Sequence, residues 1–490
     1  MKNRITSIAT IICVLVLAVC GISTAPIQVQ AAEYNMCRNR NLIVDGNEIG
    51  EVPCLDYGYD NAIYVSLKSV AYGLSDTEKR FSVGVTSEEI NIVTGKNYSN
   101  NPLPFAQDDV DSKAGVNLKK HDMYVDDKER SYYTLVKKRS DGSLDCFMTL
   151  MDVAMILDIT IDMEDGNIVI DSTKPFSVSG ADMESDGFLE GVNALLIGDG
   201  TTGEIYYAYD DEKDFAIAST TKLITYYVLM DAVKAGEISL DDMVEVPYGA
   251  ALLSENDDKC TPLKEGQLVS MHELLIAMLL PSSNECAYTL ACHVAGSEKA
   301  FVERMNKKAD ELGLTSTRFV NSHGLPFYDE QFLFAKKQNH MSADDMFTMM
   351  SHLLDDYPEI YDITSIKETR FDTLEYVYGE KVKNLNYLLY NIPEVKGLKT
   401  GTTNKAGCCL VTAMPVEKDG VTHNLIVVLF GAETSASRIR TSEVAARYAL
   451  SVFRGEAEAG GASDDGTKPS IPENPELVAK ALVSKYMSND

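Results

Sequence analysis

The chain has 490 residues, of which 44 are Lys or Arg and 74 are Asp or Glu, giving a formal net charge of −30. Such an acidic chain repels phosphate backbones and anionic membrane surfaces, so nucleic acid is not expected as a partner. With 45% hydrophobic residues, 15 prolines and 32 glycines it is neither disordered throughout nor a low-complexity fibre, and its length predicts about three units.

Lys2 and Arg4 form a short positive start, residues 5–22 are almost wholly apolar, and Val29-Gln30-Ala31 offers a small-residue exit. This order predicts a secretory signal peptide over residues 1–31 and hence an exported protein. An uncleaved anchor and a lipoprotein attached at Cys20 are the alternatives; the branched Val19 argues against the second. Cleavage removes Lys2 and Arg4, taking the charge from −30 to −32. Eight of the ten cysteines remain, three in the N-terminal third (Cys37, Cys54, Cys146) and five later (Cys260, Cys286, Cys292, Cys408, Cys409). Three and five cannot pair fully within each region, and no Cys-x-x-Cys occurs. Mostly buried free thiols are expected, without a structural zinc site.

Residues 39–173 repeat themselves. Val44-Asp45-Gly46, Tyr64-Val65-Ser66-Leu67 and Ile90-Asn91-Ile92 return as Val125-Asp126-Asp127, Phe147-Met148-Thr149-Leu150 and Ile168-Val169-Ile170, at offsets of 81, 83 and 78. Each copy reads as short alternating strands around one small helix. The pattern resembles the domain named after the N-terminal part of copper amine oxidases. A copper site does not follow, because His121 is the only histidine there. The resemblance suggests a scaffold or wall-facing stalk; contact with the cell wall or a protein is the alternative.

Residues 174–187, rich in Ser, Gly and Asp, read as a linker to a unit over 188–454. That unit opens with a hairpin around Asp199-Gly200-Thr201-Thr202-Gly203 and closes with another around Lys418-Asp419-Gly420, with helical patterns between. Strands at both ends predict an α+β fold whose terminal strands share one antiparallel sheet. Residues 455–490 read as a tether and short helix, with Leu477, Val478, Ala481, Leu482 and Tyr486 on one face. Docking onto the body and lying at a membrane interface are both open. With only Lys480 and Lys485 as cations, firm anchoring is not expected.

Three motifs carry the chemistry. Ser219-Thr220-Thr221-Lys222 sets a hydroxyl and an amine three residues apart, on one face of a helix. The apolar run from Leu223 to Met230 makes that helix a buried one, with Ser219 at its N-terminus. A hydroxyl needs a base, and a desolvated lysine near other cations can be that base. Ser270-Met271-His272-Glu273 spells a capping box opening a helix that Pro281 stops. Ser282-Ser283-Asn284 follows, where Ser282 can pass a proton and Asn284 can hold a carbonyl. Lys399-Thr400-Gly401-Thr402 suits an edge strand: Gly401 admits a substrate backbone, and Lys399 with Thr400 binds a carboxylate.

Each motif alone is ambiguous, but the order Ser-x-x-Lys, Ser-x-Asn 63 residues on and Lys-Thr-Gly 117 after that is the pattern of penicillin-recognising serine acyltransferases. Ala218 to Leu223, Leu279 to Glu285, Phe301 to Asn306, Phe319 to Leu325, His340 to Met346 and Gly397 to Gly401 resemble D-alanyl-D-alanine carboxypeptidases, the low-molecular-mass penicillin-binding proteins. The resemblance covers about residues 193–453. It implies a penicillin-binding-protein/β-lactamase-like fold in a bacterial exported, extracellular, cell-wall or membrane-associated protein, with peptidoglycan stem peptides as substrate. By resemblance, Ser219 is the nucleophile, Lys222 the base, and Ser282 and Asn284 complete the proton path and hold the peptide. Lys399, Thr400 and Arg438 bind the terminal carboxylate, and the amides of Ser219 and Thr402 form the oxyanion hole beside Gly401. β-Lactams acylate Ser219, and no cofactor or metal is implied.

His323 and His340 read as turn and helix-start residues. His272-Glu273 lacks a zincin's second histidine. Cys408-Cys409 and the Met346, Met349, Met350 cluster read as packing. Many relatives carry a β-rich domain and amphipathic anchor after the catalytic unit, so membrane attachment is left open here. Rivals are a β-lactamase, against which stands the lack of a Glu-x-x-x-Asn element between Asn284 and Lys399, and a non-catalytic wall-binding or penicillin-sensing protein.

Overall fold

From Leu425 to Phe430 every residue of the central strand is apolar, yet neighbours point to opposite sides. Ile426, Val428 and Phe430 enter one hydrophobic cluster, while Leu425, Val427 and Leu429 enter another. A sheet buried on both faces needs such unbroken apolar runs. The computed structural model describes residues 35–56, 62–98, 118–139, 142–184, 188–256, 261–328 and 336–460. The signal peptide, Cys260, the Cys37 thiol and the helix expected beyond residue 460 lie outside the described residues.

The sheet has five antiparallel strands in the order Glu204–Tyr209, Ala194–Asp199, Val421–Ala432, Gly407–Lys418, Leu398–Thr403. The two ends of the unit thus meet, with Ala194 opposite Phe430. Asp419 and Gly420 take left-handed conformations (φ 53° and 79°), as the tight hairpin between the two longest strands requires. One face carries the helices Lys222–Lys234, Met271–Leu279, Asn284–Ala295, Glu298–Glu311 and Ala343–Asp356; the other carries Ser435–Arg454. Leu398–Thr403 is one edge of the sheet, where a bound peptide can add as a further strand.

In the repeat region each copy runs through a hairpin, a strand leading into a helix, and a second hairpin. The helices Leu67–Gly73 and Leu150–Leu157 are capped by Ser66 and Thr149, whose hydroxyls accept from Ser69 N (3.1 Å) and Asp152 N (3.0 Å). The copies exchange edges: Asn167–Asp171 pairs in parallel with Asn35–Val44, and Glu89–Thr94 in parallel with Asp122–Val125. The repeated aspartates sit at equivalent crossings. Asp45 accepts from the amide and hydroxyl of Ser172 (2.7 Å each), and Asp126 from those of Thr94 (2.9 and 2.6 Å).

Two expectations need correction. The 174–187 segment is not simply a loose linker: it contains the helix Gly180–Glu184, and Val178 and Met183 enter the core on the Ser435–Arg454 side. The capping box at Ser270 is only half made. Ser270 accepts from Glu273 N (3.2 Å), but the Glu273 carboxylate turns away to accept from Asp372 N (2.7 Å) and Thr373 N (3.0 Å). Two loop amides close by hold it more firmly than one amide on its own turn. None of the six described cysteines, Cys54, Cys146, Cys286, Cys292, Cys408 and Cys409, is in a disulfide. Among the described residues no helix is long and apolar enough to cross a membrane.

Candidate active site

Ser219 stands in a single 3-10 turn, Ala218–Thr221, that runs directly into the buried helix Lys222–Lys234. Ala218 is held at φ 48°, and the turn is tied by Thr220 Oγ1 to Ile217 O and Thr221 Oγ1 to Ala218 O (2.7 Å each). This spacing brings Lys222 Nζ to 3.1 Å from Ser219 Oγ. Lys222 is fully buried, and its Nζ also donates to Asn284 Oδ1 and to the His323 carbonyl, both at 2.8 Å. Asn284 opens the helix Asn284–Ala295, which Ser283 caps by accepting from Cys286 N (3.1 Å). A neutral amine has two hydrogens and one lone pair. In that form the two fixed oxygens, which can only accept, would take the hydrogens and leave the lone pair for the Ser219 hydroxyl.

The edge strand passes hard against this turn. A Cβ on Gly401 would lie 2.9 Å from both Ile217 O and Ser219 N, so only glycine permits the approach. From the opposite side Gly324 (φ 93°) is closer still, its imagined Cβ 2.0 Å from Ala218 O. Lys399 is buried, and its Nζ donates to Thr400 O at 2.9 Å. Burial, then Lys222, then Arg438 hold the Lys399 amine well below the usual lysine range. Arg438, on the helix Ser435–Arg454, donates from Nη1 to Thr402 Oγ1 (3.1 Å), and its buried Nε has no partner among the described residues. In a strongly acidic chain the Arg438 guanidinium and the Lys399 and Lys222 amines gather hydrogen-bond donors in one place, which suits an anion.

The structure therefore brings together Ser219, Lys222 and Asn284 by direct contact, and Thr402 with Arg438. Gly401 abuts the nucleophile's amide, and Lys399 and Thr400 occupy the same strand. Ser282 is placed differently. It takes a left-handed conformation (φ 70°) just before Ser283, and no hydrogen bond joins it to Ser219 or Lys222 among the described residues.

Sequence reasoning missed the loops that hold Lys222. Asn339 Nδ2 donates to Thr221 Oγ1 (2.9 Å) and Asn321 O (3.1 Å), while its Oδ1 accepts from Val320 N (2.7 Å). Asn321 Oδ1 accepts from Gly324 N (2.7 Å), tightening the turn that presents the His323 carbonyl. Contacts between distant loops leave no periodic trace; an asparagine within the family-like stretch Phe319 to Leu325 was the available signal. His323 acts here through its backbone. Its ring is buried against Glu298, and burial together with Lys222 holds it down to about 3, neutral. His340 pairs with Arg318 through the backbone. Cys409 is core, its thiol pushed up to about 12 by burial.

Residues 188–434 match the family described as D-alanyl-D-alanine carboxypeptidase. The D-alanyl-D-alanine carboxypeptidase DacF of Bacillus subtilis is 33% identical over 251 residues, 51% of this chain and 59% of its own length. The D-alanyl-D-alanine carboxypeptidase DacC of Escherichia coli is 34% identical over 254 residues, again 51% of this chain and 59% of its own length. A D-alanyl-D-alanine endopeptidase of Pseudomonas aeruginosa is 31% identical over 254 residues, 50% of this chain and 75% of that protein. The match thus spans 59% of the length of the first two relatives.

Proposed function

This chain belongs to the D-alanyl-D-alanine carboxypeptidase family, and on that premise we propose that it removes the terminal D-alanine from peptidoglycan stem pentapeptides through an acyl-enzyme on Ser219. The observation that carries the reading is the Lys222 amine, 3.1 Å from Ser219 Oγ and donating to two fixed oxygens.

Lys222 takes the Ser219 proton as Oγ attacks the carbonyl between the two D-alanines. The oxyanion forms against the amides of Ser219 and Thr402. The C–N bond then breaks, and the proton passes from Lys222 to the leaving D-alanine amine. Lys399, Thr400, Thr402 and Arg438 hold the terminal carboxylate, and Asn284 holds the peptide. Water, deprotonated by Lys222, attacks the ester and frees Ser219. A β-lactam enters as a dipeptide mimic and stays as the acyl group. On this reading residues 188–454 are the catalytic unit, 39–173 a duplicated module and 1–31 an export signal.

The test is D-alanine release from an acyl-Lys-D-Ala-D-Ala peptide by the chain from Ala32, beside Ser219→Ala. The variant is expected to lose about 10³-fold or more in rate. No release from folded wild-type protein sinks the carboxypeptidase reading and favours a wall-binding or sensing role. Steady turnover of a chromogenic cephalosporin favours a β-lactamase. A cross-linked dimer peptide added to the same assay reads endopeptidase action, the activity named for the Pseudomonas relative.

A further inference from the structure

The helix Glu298–Glu311 fixes one of the oxygens that Lys222 depends on. Glu298 is its first residue and reaches back over the 321–324 turn. Its Oε1 accepts from Ser322 N (3.0 Å) and Ser322 Oγ (2.7 Å), and lies 3.5 Å from His323 Nε2. The two carbonyls of this pair both face the catalytic helix. Ser322 O accepts from Thr225 Oγ1 at 2.6 Å, and His323 O accepts from Lys222 Nζ at 2.8 Å. One carboxylate oxygen therefore holds the outer side of a dipeptide whose inner side orients the amine.

We propose that Glu298 is a positioning residue for the reaction: by clamping Ser322 and His323 it sets the carbonyl that aims the Lys222 lone pair at Ser219. This rests on the reading of Lys222 as the base. The geometry needs an acceptor at Oε1 rather than a charge, since both Ser322 bonds are made to that one oxygen. A negative charge there would in fact favour the ammonium form of Lys222 and work against its use as a base. Burial already raises the Glu298 carboxyl above its ordinary range, consistent with an acceptor that does not depend on full ionisation. Nothing in this arrangement touches the carboxylate end of the cleft. A displaced base lowers the chemical step by about 10- to 100-fold per ångström while leaving binding alone.

The experiment compares kcat and KM for D-alanine release, with the melting temperature, in wild type, Glu298→Ala, Glu298→Gln and Ser322→Ala. Glu298→Ala is expected to lower kcat about 10- to 100-fold with KM within twofold. Glu298→Gln keeps the acceptor and is expected to stay within threefold of wild type, and Ser322→Ala to fall between. Equal kcat in Glu298→Ala and wild type overturns the inference, as does Glu298→Gln falling as far as Ala, which would assign the effect to charge. If Glu298→Ala does not fold, Ser322→Ala decides: an unchanged kcat in the folded variant overturns the proposal. Absence of wild-type release fails the functional reading instead and is distinguishable on that ground.

Discussion

At the scale of single residues, the site depends on keeping titratable groups in uncommon states, and His323 gives the clearest consequence. Its ring is buried beside Lys222 and held down to about 3, against about 6.5 in an unfolded chain. Between those values the unfolded chain binds a proton that the folded chain refuses. Stability from this group is therefore complete above pH 6.5 and is lost as pH falls towards 3, at about 1.4 kcal/mol per pH unit. Glu298, 3.5 Å away with a raised carboxyl, titrates nearby with the opposite sign. The comparison must isolate the imidazole, so His323→Gln is set against wild type. Urea unfolding at pH 7, 6, 5 and 4.5 is expected to show the gap between the two shrinking, or reversing in favour of Gln, as pH drops. Parallel curves would mean that the ring titrates alike in both states.

At the scale of elements, catalysis rests on how closely the edge strand Leu398–Thr403 lies against the Ser219 turn. Gly401→Ala places a methyl 2.9 Å from two backbone atoms, Ile217 O and Ser219 N, and 3.1 Å from Ala218 Cβ. Backbone cannot swing aside as a side-chain tip can, so the strand or the nucleophile must move by several tenths of an ångström. Acylation by a fluorescent penicillin is expected to fall about 10²-fold. Gly84→Ala, on a strand with open space around it, should leave the rate unchanged. A Gly401→Ala enzyme that acylates normally would show that the strand does not set the oxyanion site. The strands beside it were legible because two-sided burial writes apolar runs in them and Asp419-Gly420 spells the turn between the two longest. Lys222 and Asn284 were legible because helix geometry fixes what lies three residues away and what opens a helix. The Asn339–Asn321 web and the Glu298 clamp were not, because each joins side chains to backbone atoms of other loops, where residue spacing carries no information. Glu273 misled for a related reason: the capping spelling was present, but the loop at Asp372 and Thr373 competed for the same carboxylate and won.

At the scale of the whole molecule, the repeat region does not stand off from the catalytic unit as a stalk would. Its strands share a hydrophobic cluster with the helix Ser435–Arg454, the same helix that carries Arg438. Polar groups lock the contact. Glu443, fully buried on that helix, accepts from Tyr132 OH (3.0 Å), Asn391 Nδ2 (2.7 Å) and Arg447 Nη2 (2.8 Å). Asn391 also exchanges bonds with the Ser131 backbone (2.8 and 3.0 Å), and Lys120 Nζ lies 3.6 Å over the Tyr387 ring. A buried carboxylate that loses a donor is costly, about 1–3 kcal/mol for one hydrogen bond. Separating the two units would strip Glu443 of its Tyr132 donor and expose the shared apolar surface together. They should accordingly unfold as one. In thermal melts of the chain from Ala32, tyrosine absorbance, which reads the whole molecule, and the capacity to take up a fluorescent penicillin, sampled at each temperature and reading the Ser219 site, are expected to be lost at the same temperature. Tyr132→Phe removes a hydroxyl far from Ser219 in sequence and outside the catalytic sheet, yet it should lower both midpoints together by a few degrees. If the penicillin signal outlasts the first loss of absorbance, or if Tyr132→Phe shifts one midpoint and leaves the other in place, the repeat region is an independent appendage and the buried Glu443 contact contributes nothing to the active site's stability.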